Sequence, residues 1–157
     1  MAFRNHHHRQ QRTGTTIVEL AVVLPIFLLL LFAIVEFGHA QMVNNMLNSA
    51  CRNAARIGAV EGTSTAQVAA RINDTMTPVV APENLSIFVN DASIYDMGTP
   101  PTTASGIEGL PGVELSSVEP RQMFVVRATL PYNDIALVPM PFLKNVVLYS
   151  QAFMRHE

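Results

Sequence analysis

The chain has 157 residues, of which 49% are apolar and 14% are charged, against about 25% charged residues in ordinary globular proteins. This composition excludes an intrinsically disordered chain, and the single cysteine excludes a disulfide framework or a cysteine-rich zinc module. The net charge of −2 gives no indication of nucleic-acid binding.

Charge is distributed unevenly along the chain. Residues 1–14 contain Arg4, Arg9 and Arg12 and no acidic residue. The remaining residues carry 7 of the 10 basic residues and all 12 acidic ones. The chain therefore consists of a short basic leader followed by a mildly acidic remainder.

A long apolar segment follows the leader. Within residues 17–35, only Glu19 and Pro25 are not apolar. Nineteen helical residues span about 28 Å, close to the hydrocarbon thickness of a bilayer. The segment is apolar on every helical face, which predicts a transmembrane helix over about residues 17–37. Its marker residues are Ile17, Leu20, Pro25, Phe32 and Val35.

The flanking charges predict the orientation of this helix. Basic residues on a short flank stay in the cytoplasm, so the later residues are expected outside the inner membrane. Arg52 and Arg56 oppose this orientation only weakly, because they lie at the edge of the region that counts. We therefore predict three parts: a leader (1–14), a helical region (15–60) and an extracytoplasmic head (61–157).

Glu19 needs an explanation, because a carboxylate near lipid is costly. One explanation is local: Thr16 and Glu19 have the spacing of a helix capping box. The other requires cleavage between Gly14 and Thr15, which gives Thr15 a free, largely protonated amine. The amine of one copy would then pair with Glu19 of a neighbour at low dielectric.

A second possible cut lies after the apolar segment. Gly38 and Ala40 have the spacing of a signal-peptidase site, which would release a soluble protein beginning at Gln41. Sixteen uncharged apolar residues exceed the usual length of a signal peptide's apolar region, about 7–15 residues, and Glu36 separates them from the site. This alternative is therefore the less favoured one.

The helix is expected to continue beyond the membrane to about Gly58. Ala50, Ala54 and Gly58 recur four residues apart, so they form one face of small residues that permits close helix packing. The partner of this face is either the protein's own head or another subunit. Cys51 on the same helix is either a small buried side chain or a thiol that bridges two subunits.

The head is predicted to be α+β. Ser64 and Gln67 form a capping box before a short helix over residues 65–76, which Pro78 and Pro82 follow. β-Branched and aromatic residues then predict an antiparallel sheet of about three strands, at residues 85–90, 123–130 and 144–154.

Two connections are predicted to be irregular. In residues 98–112, eleven of the fifteen residues are Gly, Pro, Ser or Thr, which predicts a long exposed loop. Pro131, Pro139 and Pro141 make residues 131–143 unsuitable as a central strand.

Motifs for catalysis are missing. The sequence contains no phosphate-binding loop, no zinc-protease or serine-hydrolase motif and no calcium loop. His6, His7 and His8 have no fourth ligand nearby, so we predict no metal site and no cofactor. We expect a non-enzyme that takes no small-molecule substrate and binds no nucleic acid.

The start of the chain resembles the TadE-like pseudopilins of tight-adherence (Tad or Flp) pilus systems. The basic leader, the Gly14 to Thr15 junction, TTIVELAVVLP at residues 15–25 and FAIVEFG at residues 32–38 carry the resemblance. It continues in NMLNSA at residues 45–50 and RNAAR at residues 52–56, with a weaker match in the final MRHE.

This resemblance implies a function for the chain. It implies cleavage after Gly14 by an aspartic prepilin peptidase of the inner membrane, and a minor role in the assembly of an adhesion pilus. The implied partners are the peptidase, other Tad pilins and pseudopilins, and the assembly platform. The alternatives are an uncleaved, membrane-tethered binding module and the secreted protein cut after Ala40.

Overall fold

The computed structural model describes residues 10–98, 101, 103–138, 143 and 145–157. Its first element, α1, is one uninterrupted helix over Gln10–Gly58 that continues through Pro25. This confirms the predicted continuation of the helix beyond the apolar segment. The residues His6, His7 and His8 of the leader lie outside the described residues.

Contacts between residues divide the chain into two units, one ending at Gly38 and one over His39–Glu157. In the first unit, the large apolar side chains between Ile17 and Val35 are 41–68% exposed, whichever face of the helix they occupy. A core helix of a soluble protein would bury at least one face. By length and composition, this helix is able to cross a membrane.

The second unit contains the predicted head and also the end of α1; from here on the whole unit, His39–Glu157, is called the head, and its fold is α+β as predicted. Residues 39–58 of α1 belong to it, because their apolar side chains enter its core. The other regular elements of the described residues are α2 (Thr65–Met76), β1 (Ser86–Asp91), α3 (Ala104–Glu108), β2 (Met123–Pro131) and β3 (Val147–Arg155). The strands form one antiparallel sheet in the order β1-β2-β3.

The capping box predicted for α2 is present. The backbone N–H of Gln67 donates to the Ser64 hydroxyl at 3.3 Å, and the backbone N–H of Ser64 donates to the Gln67 side-chain oxygen at 2.9 Å. These two bonds satisfy donors that a helix start leaves open. The helix then buries Val68, Ile72 and Met76, which lie on one face.

The sheet separates two apolar clusters. Side chains of a strand alternate between the faces of its sheet, so Phe124, Val126, Ala128 and Leu130 of β2 all face the main core with α1 and α2. In register, Val126 lies between Val89 of β1 and Ala152 of β3. Val125 points to the opposite face and enters a smaller cluster.

The prediction of an exposed loop over residues 98–112 is wrong in part. Thr103 caps the short helix α3 by accepting a hydrogen bond from the backbone N–H of Gly106 at 3.2 Å. Ile107 of α3 is only 7% exposed, because it packs with Ala92 and Val125 in the smaller cluster. Residues 99, 100 and 102 of this connection lie outside the described residues.

The connection from β2 to β3 is irregular where the structure describes it. It starts with a 3₁₀ turn over Tyr132–Asp134 and ends with a turn in which the backbone N–H of Val146 donates to the carbonyl of Leu143 at 3.2 Å. Asn145 in that turn has a φ of 74°. β3 therefore starts three residues later than predicted, and residues 139–142 and 144 lie outside the described residues.

Candidate functional site

The predicted cleavage junction and Glu19 lie in the exposed start of α1. Gly14 and Thr15 are both helical, and Glu19 follows Thr15 by about 6 Å along the helix axis. Because α1 already includes Gln10, Thr16 lies inside the helix rather than at its N-cap. The capping-box interpretation of Thr16 and Glu19 is therefore wrong for the uncut chain, since it requires a helix that starts just after Thr16.

The small-residue face of α1 packs on the protein's own head. Ala50 and Ala54 are at most 1% exposed. A Cβ atom placed on Gly58 would lie 2.9 Å from a δ-carbon of Leu115 and 3.0 Å from a γ-carbon of Val68. The side chain at position 58 must therefore be small for the helix to approach the head this closely. Of the two partners that the sequence leaves open, the structure places the head against this face.

Cys51 is a buried side chain of the same core. It is fully buried, and its thiol lies 3.8 Å from the backbone carbonyl of Ser150. Burial raises the pKa of the Cys51 thiol, although a hydrogen bond with Ser150 opposes this effect. The interpretation of Cys51 as a bridge between subunits is therefore wrong for the folded head, because the sulfur does not reach the surface.

Asn48 connects α1 with β3, one of the two edge strands of the sheet, and sequence reasoning missed this contact. The Ser150 hydroxyl donates to the Asn48 side-chain oxygen at 2.7 Å, while the Asn48 amide donates to the Asn44 carbonyl at 3.0 Å. Both side-chain partners of Asn48 are thus within the head. The motif NMLNSA signals the family resemblance, but its spacing gave no indication of this bond across 102 positions.

A buried arginine lies on the opposite face of the sheet. The Arg127 side chain is 3% exposed, and its Nε donates to the Glu108 carboxylate at 3.0 Å. Its Nη1 donates to the Gln151 side-chain oxygen at 2.8 Å, and its guanidinium carbon lies 4.6 Å from the centre of the Tyr149 ring. A buried charge requires such partners. The sequence gave no signal for this group, because Glu108 belongs to the connection predicted as exposed.

A carboxylate also joins the segment between α3 and β2 to α2. Glu114 accepts a hydrogen bond from the backbone N–H of Thr65, the first residue of α2, at 2.9 Å. That bond is the main reason why the pKa of Glu114 is held below its ordinary value of 4.5. The Thr65 hydroxyl in turn donates to the Val113 carbonyl at 2.9 Å. These bonds position the connection that carries Leu115 against Gly58.

The outward face of α1 in the head is polar and carries positive charge. It comprises Asn45, Asn48, Ser49, Arg52, Asn53 and Arg56, which line an open groove. Arg52 and Arg56 are exposed, and neither forms an ion pair with another described residue. In the part of the chain that the structure describes, no three His, Cys, Asp or Glu side chains are grouped so that they could hold a metal ion.

Comparison with known families gives one match. Residues 14–56 match the family of TadE-like proteins, a stretch that begins at the predicted cleavage junction and covers the apolar segment and most of the helix in the head. No curated protein matches the chain, and no solved structure does. Over its N-terminal region, residues 14–56, the chain is therefore similar to TadE-like proteins.

Proposed function

We propose that this chain is a minor pseudopilin of a Tad (Flp) adhesion pilus, held by a single membrane-spanning helix. One observation carries the proposal: the TadE-like match starts at Gly14, on a helix whose large apolar side chains from Ile17 to Val35 are exposed on every face. A basic leader, a small residue at the junction and a glutamate five positions later complete the pilin-like pattern.

The protein is proposed to reside in the bacterial inner membrane with its N-terminus in the cytoplasm. Arg4, Arg9 and Arg12 immediately precede the span, and basic residues in short flanks remain cytoplasmic. The head then lies outside the cytoplasm. It has its own core and contains no second helix of membrane-spanning length among the described residues.

Processing is proposed to occur between Gly14 and Thr15, with the chain as the substrate of a prepilin peptidase rather than an enzyme. The bond lies in a helix, so the peptidase must open the helix locally, and glycine lowers the cost of opening. The new Thr15 amine would then pair with Glu19 of a neighbouring pilin in the membrane. Burial of apolar surface cannot by itself drive helices together in lipid, because the lipid tails are equally apolar. The ion pair would therefore fix how neighbouring helices are aligned along their axes.

The mature N-terminus tests processing. A mass measurement of the protein purified from its native membrane is expected to give a chain that begins at Thr15. A chain that retains Met1 would contradict processing and favour the uncleaved, tethered binding module. A chain that begins at Gln41 and is recovered from the aqueous fraction would contradict the membrane anchor and favour the secreted protein.

Substitution of Glu19 tests the pairing. Glu19→Ala is expected to leave resistance to carbonate extraction unchanged, because the apolar span is intact, and to abolish co-purification with other Tad pilins and surface piliation. Glu61→Ala is the matched control, since Glu61 is an exposed glutamate just beyond the end of α1. Normal assembly of Glu19→Ala would show that the proposed pairing is wrong.

A further inference from the structure

One end of the head exposes apolar side chains beside an apolar stretch of sequence. Residues 135–143 contain no polar side chain and are followed directly by Lys144. Leu137 within this stretch is 59% exposed, and Val146 and Val147 beyond it are 39% and 50% exposed. We call Leu137, Val146 and Val147 the basal patch. Turns and connections that face water normally carry polar residues. Ile135, Ala136 and Leu143 pack in the core of the head, whereas the basal patch remains exposed.

Contacts inside the head determine where the basal patch lies. The His39 ring Nε2 is 3.1 Å from the carbonyl oxygen of Ile135, two residues before Leu137. The backbone N–H of Ile135 donates to the carbonyl of Tyr132, and the backbone N–H of Tyr132 donates to the carbonyl of Val146. These two bonds connect the segment that carries Leu137 with the segment that carries Val146 and Val147. The basal patch therefore lies at the end of the head that contains His39.

His39 is also the point at which the head joins the apolar helix. It is the first residue of the head and follows Val35, the last residue of the apolar segment, by about 6 Å of helix. The polar headgroup region on each side of a bilayer is about 5–8 Å thick. If α1 spans the membrane as proposed, the head at His39 lies within the headgroup region.

The other end of the head provides the contrast. Val60 is 51% exposed, nearly the same as Val147. It follows Gly58, however, and the helix from His39 to Gly58 rises about 28 Å. Exposed apolar residues thus occur at both ends of the head, and the contacts of His39, Ile135 and Tyr132 hold the basal patch at the end that contains His39.

We infer that the basal patch inserts into the headgroup region of the membrane that α1 spans, so that the head contacts lipid at a second place besides the helix. The inference rests on the proposed membrane function. Tyr149, which is 54% exposed on β3 two residues beyond Val147, is a residue type that favours a membrane interface.

Fluorescence quenching in liposomes tests the inference on the full chain. In a Cys51→Ala background, Val147→Cys and Val60→Cys are each labelled with the environment-sensitive dye NBD and reconstituted into phosphatidylcholine–phosphatidylglycerol vesicles. Lipids spin-labelled near the headgroup are expected to quench the label at position 147 and to leave the label at position 60 bright. Equal quenching at the two positions, or none at position 147, would overturn the inference.

A second pair of variants tests the patch itself. Leu137→Asp is expected to reduce lipid quenching of the label at position 147, because a carboxylate resists insertion, while Asn133→Asp on the adjacent exposed turn is expected to change it less. If Val147→Cys does not fold, Leu137→Cys provides the same comparison with Val60→Cys. A second copy of the chain could instead cover the patch. In that case lipid would not quench the label, and aqueous dithionite would reach it only when the protein is diluted in lipid. This result would overturn the inference.

Carbonate extraction separates this inference from the proposed function. If the unlabelled chain is extracted, the membrane anchor fails, and the inference that rests on it fails with it. If the chain is retained and the label at position 147 is not quenched, the anchor stands and the inference alone is wrong.

Discussion

Gly58→Ala is expected to destabilise the head, although alanine is the better helix former. Alanine gains at most about 1 kcal/mol over glycine inside a helix, and less at the last helical residue. The added methyl group would lie 2.9 Å from Leu115, 3.0 Å from Val68 and 3.4 Å from Phe124. Overpacking of a core typically costs about 1–3 kcal/mol. We therefore expect a net loss of about 1 kcal/mol, because Leu115 and Phe124 are fully buried and cannot move away freely.

Thermal unfolding of the full chain in detergent micelles, followed by circular dichroism, measures this loss. For a head of the size of His39–Glu157, about 1 kcal/mol lowers Tm by about 4 °C. Gly38→Ala is the matched control, because it is the same change in α1 with no atom within 4 Å of the added Cβ. Leu115→Val should lower the stability of the head less in the Gly58→Ala background than in the parent. A Tm for Gly58→Ala equal to or above that of the parent would refute close packing of the small-residue face on the head.

Two further predictions concern polar contacts of the head. Because the folded pKa of Glu114 is lowered, its bond to Thr65 stabilises the head above the ordinary pKa of 4.5 and is lost as the pH falls through the folded pKa. Urea unfolding at several pH values should thus show Glu114→Gln less stable than the parent near neutral pH and equal to it in acid; a difference independent of pH would contradict this. Glu108→Ala should lower the free energy of unfolding by about 2–3 kcal/mol, because it leaves the buried Arg127 guanidinium without its carboxylate. Arg127→Met should lower it by only about 1 kcal/mol, because the Glu108 carboxylate that it leaves is 34% exposed. The reverse order in the same urea measurement would contradict this explanation.

Local patterns in the sequence were sufficient for several elements. The bounds of α2 at Thr65–Met76 agree with the prediction, because the capping box at Ser64 and the spacing of the apolar residues act within a few positions. The three strands agree to within about three residues, since the alternation of their side chains is also local. The apolar segment of α1 needed only composition and length.

Errors arose where residues outside the local pattern decide the outcome. The connection with eleven Gly, Pro, Ser or Thr residues was predicted to be exposed, yet Ile107 within it finds a buried place beside Val125 of β2. Thr16 and Glu19 have the spacing of a cap, but the helix begins upstream of them. Spacing alone does not indicate whether the preceding residues are also helical.

The sequence by itself determined that one helix of this protein is long and apolar enough to cross a membrane, because nineteen nearly continuous apolar residues match the hydrocarbon thickness of a bilayer. It also determined a face of small residues on that helix, but not the partner of this face. Only the tertiary structure assigned Ala54 and Gly58 to the protein's own core and buried Cys51 and Arg127. The physical reason is that close packing and buried charge depend on atoms tens of positions away in the chain, such as Leu115 for Gly58 and Glu108 for Arg127.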